Sequence, residues 1–90
     1  MRTELEIFVK NMDLIISLNT ERKGEWRTYN LEYFKGKLTE EFAEVVEAFK
    51  KYKKSKNEKE NEINRIAVMG ELTDLANVCM MLFTLLYEGE

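Results

Sequence analysis

The chain has 90 residues, 44% of them hydrophobic and 34% charged, with a formal net charge of −3. This is the composition of one folded domain, 1–90, and its acidic balance offers no global attraction to nucleic acid. Histidine is absent, which excludes Ser-His-Asp arrangements, histidine-containing zinc sites and the Glu-x-x-His di-iron motif; the lack of proline and the presence of only four glycines favour helices.

Thr3-x-x-Glu6 has the form of a capping box. Behind it Leu5, Phe8, Val9, Met12, Ile15 and Ile16 repeat at the three-and-four spacing of one helical face. The pattern predicts a first helix over about 3–19, with Asn19 helping to end it. Residues 20–30 are polar, with Gly24, Trp26 and Tyr29 among them, and read as a loop. Trp26 is the only tryptophan. It either seals the end of a helical bundle or offers a stacking surface to a flat ligand such as a nucleobase.

Asn30 is the expected N-cap of a second helix over about 31–54. Leu31, Phe34, Leu38, Phe42, Val45, Phe49 and Tyr52 form its apolar stripe. At about 100° per residue, Glu41 falls about 60° from the stripe centre, Glu44 about 120° away, and Glu40 and Glu47 toward the back. Gly36 sits inside this helix, where glycine costs up to about 1 kcal/mol relative to alanine; a close contact or a bend would account for it. From Lys50 to Asn61 the chain is rich in Lys and Glu. This reads as a solvated helix end and connection, its lysines complementing the negative helix pole, or as a source of phosphate-binding cations.

A third helix is predicted over about 60–87, interrupted or bent near Gly70. Ile63, Ala67, Val68, Glu71, Leu72, Leu75, Val78, Cys79, Leu82 and Leu86 share a broad face. Beyond Asp74 the helix is apolar nearly all round, with Asn77 the one strongly polar side chain. A helix apolar on every side must be covered on every side, so the 75–86 segment is expected to mediate a homo-oligomer. Cys79 reads as a small core residue of a reducing compartment. No basic region followed by a short apolar core opens the chain, so no signal peptide is expected. The apolar run 75–86 is shorter than the ~20 residues a bilayer needs. The chain therefore reads as cytoplasmic and without a membrane role.

The expected fold is all-α, with three main helices forming a bundle completed by homo-oligomerisation. Glu41 with Glu44, and Glu71 with Asp74, are i, i+3 neighbours at the margins of two apolar stripes. Packed antiparallel, the two pairs would face one another. Four facing carboxylates repel unless a cation lies between them, and an all-oxygen site suits Mg²⁺, with Mn²⁺ as a substitute.

Glu40-Glu41-x-x-Glu44, 26 intervening residues, then Glu71-x-x-Asp74 is similar to the EExxE…ExxD signature of the MazG-like all-α nucleoside triphosphate pyrophosphohydrolases. The segments Lys23-Gly24-Glu25-Trp26-Arg27, Leu38 to Ala48 and Asp74 to Met81 resemble the family's surroundings of that signature. The resemblance covers about residues 20–86, and the chain is short for the family. It implies hydrolysis of a nucleoside triphosphate, possibly deoxy or non-standard, to monophosphate and pyrophosphate. It further implies that Glu41, Glu44, Glu71 and Asp74 ligate Mg²⁺, that Glu40 lies close by, and that Trp26 lies near the base. Glu40 or Glu41 could then orient or deprotonate the attacking water. Lys23, Arg27, Lys37, Lys54 and Arg65 are candidate phosphate contacts, and Asn77 a candidate substrate contact. Two alternatives are a non-catalytic helical oligomeric interaction protein and a degenerate family member that binds nucleotides without cleaving them.

Overall fold

With no proline to break them, the helices run long: Gly24 and Gly89 lie outside them, and Gly36 and Gly70 are carried within two of them. The computed structural model describes residues 1–89, the side chain of Lys23 excepted. It contains α1 (Thr3–Lys23), a 3-10 turn (Trp26–Thr28), α2 (Leu31–Lys53) and α3 (Glu58–Tyr87), and no strand among the described residues.

The caps differ in how well the sequence announces them. Asn30 and Asn57 are the N-caps of α2 and α3; their side chains accept from the backbone N–H of Tyr33 at 2.9 Å and of Glu60 at 2.8 Å. The capping box at Thr3 does not form. Thr3 is already helical, Arg2 is the N-cap, and no side chain caps it. Nor does α1 end at Asn19. It continues one turn to Lys23 and stops at Gly24, whose φ of 82° lies where side chains are disfavoured. Residues 20–23 of the expected 20–30 loop are therefore α-helical. At Gly70 α3 is neither interrupted nor terminated. A Cβ at Gly36 or Gly70 would meet nothing within 4 Å, so no close contact within the chain explains either glycine.

The helices pack as an antiparallel pair with a third laid alongside. Phe34 clusters with Met81 and Leu85, and Asn64 donates to the Lys51 carbonyl at 3.3 Å. As α2 advances, its partners on α3 retreat, which makes the two antiparallel. Met12 of α1 accepts from Asn77, and Ile16, one turn on, packs on the Phe34–Met81–Leu85 cluster. So α1 runs in the same sense as α3. The joint between α1 and α2 is folded over this end of the bundle. Trp26 packs edge-on to Phe34 with ring centroids 6.1 Å apart, and Arg27 pairs with Glu88 at 2.5 Å.

The core is thin. Its buried apolar members are Phe34, Val45, Val68, Val78, Met81 and Leu85. Phe42 and Phe49, expected in the α2 stripe, are exposed, as are Ile63, Ala67, Leu72 and Leu86 of the α3 face. Cys79, expected in the core, is also exposed. Two partner helices cannot surround a third, so these faces find no cover within one chain. The accessible surface is 6944 Å² for a mass of 10.7 kDa, against about 5,500 Å² for a compact monomer of that mass. The radius of gyration is 14.7 Å, against about 12 Å for 90 residues. Within α3 an 18-residue window has a mean hydropathy of 1.5 with 28% of it buried. By length and composition this helix could cross a membrane, a reading that the apolar run 75–86 alone did not suggest.

Loss of the observed cap should be felt and loss of the absent one should not. At fixed protein concentration, Asn30→Ala is expected to cost about 1 kcal/mol, lowering Tm by roughly 4–8 °C for a domain this size. Thr3→Ala is expected to stay within about 0.5 kcal/mol of the parent. Thermal unfolding followed by circular dichroism checks both.

Candidate metal centre

The acidic residues of α2 and α3 meet because the antiparallel register sets Glu44 beside Glu71. Glu41 lies one turn before Glu44, and Asp74 one turn after Glu71. Carboxylate oxygens of Glu41, Glu44 and Glu71 all lie within 4.8 Å of one another. Glu41 and Glu71 are half-buried, and each has one oxygen, Oε2, that is buried with no hydrogen-bond partner. Glu44 is exposed and bridges the two. Asp74 is half-buried and close enough to act electrostatically on both Glu41 and Glu71.

This arrangement disfavours four simultaneous negative charges. The Glu41 carboxyl is pushed up from 4.5 to about 7, first by its removal from water, then by Glu44 and Asp74, with Lys37 pulling weakly the other way. Glu71 is raised by the same causes in the same order: burial, then Glu44, then Asp74. A divalent cation among these carboxylates would relieve the repulsion. The donor set, carboxylate oxygen without nitrogen or sulfur, suits a hard divalent cation.

The carboxylates stand between two recesses. On one side Glu41 and Asp74 line a cavity of about 190 Å³ whose far wall includes Trp26, Tyr29, Tyr33 and Phe34. On the other, Glu44 and Glu71 border a shallower groove with Lys51 and Asn64. Tyr29 and Tyr33 are stacked, 4.3 Å between centroids. Asn77 also lines the cavity. It is 4% exposed, its Nδ2 donates to the Met12 carbonyl at 3.2 Å, and its Oδ1 has no hydrogen-bond partner.

The remaining candidates separate by position. Lys37 lines the cavity and pairs with Glu40 at 3.2 Å; that carboxylate, followed by others nearby, raises the lysine's pKa. Glu40 is exposed and faces Lys37 instead of the acid cluster. Arg27 lies over the Trp26 ring, 4.7 Å from its centroid, and is paired with Glu88. Lys54 follows the last turn of α2, at the opposite end of that helix from Phe34. Arg65 is paired with Glu62 on the surface of α3. Neither Lys54 nor Arg65 is among the residues lining the cavity. The side chain of Lys23 lies outside the described residues. Glu47, placed by its angle toward the back of the α2 stripe, is exposed and pairs with Lys50.

Sequence reasoning overlooked Tyr29, Tyr33 and Phe34 as a group with Trp26. The signal was present: four aromatic residues fall within the nine positions 26–34, straddling a helix start. It also overlooked the last turn of α1, whose Asn19 and Thr20 line the cavity. Comparisons with family models, characterised proteins and solved structures return no match to this chain.

The raised carboxyls fix the pH dependence of the metal-free protein. Glu41 binds its proton more tightly when folded, so its stabilising contribution is fully present below about pH 4.5 and is lost as pH rises through about 7. Without divalent ions, Tm is expected to fall between pH 5 and 8. Glu41→Gln is expected to flatten that slope. Thermal melts in chelator across this range test the sign.

Proposed function

We propose that this chain is a Mg²⁺-dependent nucleoside triphosphate pyrophosphohydrolase acting as a homo-oligomer in the cytoplasm. The observation that supports it most is the meeting of Glu41, Glu44 and Glu71 within 4.8 Å, with stranded buried oxygens, beside an aromatic-walled cavity. The resemblance of the acid spacing to the MazG-like signature supports the same reading.

In this reading Glu41, Glu44, Glu71 and Asp74 hold the cation. When bound, it neutralises phosphate charge and acidifies a water. Phosphoanhydride hydrolysis needs positioning and charge neutralisation more than covalent help, which the absence of histidine permits. Water oxygen bonds to the α-phosphorus, the bond from that phosphorus to the bridging oxygen breaks, and pyrophosphate departs with the electron pair. The proton lost by the water passes to a carboxylate. Glu41 is better placed for this than Glu40, which is exposed and paired to Lys37. Lys37, at the cavity wall beside Glu41, supplies positive charge to the phosphates.

A second copy of the chain covers the exposed α3 face. The chain exposes about 1,400 Å² more than a compact monomer would, which exceeds the ~800 Å² each partner loses in a standard interface. Protein covers α3 in this reading, and lipid does not. Glu71 and Asp74 lie on that helix, and each acidic residue at the centre of a membrane span is costly. The exposed apolar faces also suit a second reading, a non-catalytic helical interaction protein.

Incubation with a panel of NTPs and dNTPs, with and without Mg²⁺, separates these readings. Metal-dependent pyrophosphate release is expected, and Glu44→Ala or Asp74→Ala should reduce it by roughly 100-fold or more while helicity is retained. No turnover of any nucleotide, with no Mg²⁺-induced rise in Tm, would leave the interaction reading. Sedimentation at micromolar concentration should show a dimer or larger species; a compact monomer would refute the oligomer.

A further inference from the structure

The cavity has two chemically distinct ends. Glu41 and Asp74 occupy one, and Phe34 and Met81 the other. From Glu41 to Phe34 is seven residues of α2, or about 10 Å of helix. Asn77 lies between, one turn of α3 beyond Asp74. Its amide orientation is set by chemistry: the Met12 carbonyl can only accept, so the nitrogen must face it and Oδ1 must face away. That oxygen is shielded from solvent and has no partner. A buried acceptor left unsatisfied destabilises the fold, and an apolar side chain of similar size would avoid the penalty.

We propose that Asn77 Oδ1 reads the edge of a planar heterocycle bound at the aromatic end of the cavity, accepting a hydrogen bond from a ring-edge N–H. This deepens the nucleotide reading above and rests on it for the identity of the ligand as a nucleobase. The base lies against the aromatic wall around Trp26, and the phosphates extend toward Glu41 and Asp74. Met81 is the lining side chain best suited to move aside for the ring, being unbranched and flexible. The favoured ligand class is a heterocycle with an exocyclic amino or ring imino donor. Heterocycles whose donors are methylated leave the oxygen unsatisfied and are disfavoured.

Trp26, the only tryptophan, reports on the cavity by fluorescence. The full chain is titrated with nucleosides, which carry no phosphate, and with nucleotides, in chelator and in Mg²⁺. Saturable Trp26 quenching is expected for nucleosides with a ring-edge donor even in chelator, and weakened quenching for their N-methylated counterparts. Asn77→Leu, which also loses the bond to the Met12 carbonyl, is expected to weaken binding roughly tenfold while the helical fold is retained. Asn77→Gln, which keeps the amide, should retain part of the affinity if the longer side chain still reaches the ring. Nucleotide binding and hydrolysis by the parent with Asn77→Leu unchanged would overturn this inference and leave the proposed function standing. Nucleoside binding without hydrolysis would support it while removing the enzymatic reading. No Trp26 response to any nucleoside or nucleotide would overturn it outright.

Discussion

The repulsion among carboxylates across the α2–α3 contact is the constraint on which the rest of the structure depends. Packing Phe34, Val45, Val68, Val78, Met81 and Leu85 fixes the register of the two helices. That register brings Glu44 beside Glu71, with Glu41 and Asp74 a turn away, and burial then raises Glu41 and Glu71. The buried oxygens of Glu41 and Glu71 that find no hydrogen-bond partner are the part of this contact that a bound cation would relieve. On the proposed reading, Mg²⁺ turns the least favourable contact in the fold into its functional centre.

The same economy of core shapes the rest. Three helices leave Phe42, Phe83, Leu86 and Tyr87 exposed, and the α1–α2 joint is held by Trp26 on Phe34 and by Arg27 on Glu88. Trp26 seals the bundle end, as one of its two readings had it, and it also faces the cavity. It packs against the Phe34 cluster at the end of the bundle, and it walls the cavity that ends at the acids. A side chain with large area and few rotamers can do both.

Much of this was legible in the sequence, and the failures have physical reasons. The three helices, the Asn30 cap and the meeting of Glu41, Glu44 and Glu71 follow from period, composition and i, i+3 spacing. The capping box at Thr3 failed because that pattern also fits the first turn of a helix begun at the preceding residue. Asn19 failed as a stop because asparagine only tolerates a helix end, whereas Gly24 adopts the positive φ. The apolar stripes overstated burial at Phe42, Leu72 and Cys79, since periodicity marks a face that needs covering and not the surface that covers it. The tyrosines of the cavity and the unpaired Asn77 oxygen depend on how α1 lies against α3, which local pattern does not encode.

The central claim is that the α2–α3 carboxylates form a divalent-cation site, and Mn²⁺ tests it most directly. Free Mn²⁺ is counted by its electron paramagnetic resonance signal during titration with the full chain, with Glu71→Gln as the comparison. Saturable loss of the signal with the parent chain, abolished in Glu71→Gln and reversed by excess Mg²⁺, is the predicted result. A Mn²⁺ signal unaffected by stoichiometric folded protein, or a loss equally strong with Glu71→Gln, would contradict it.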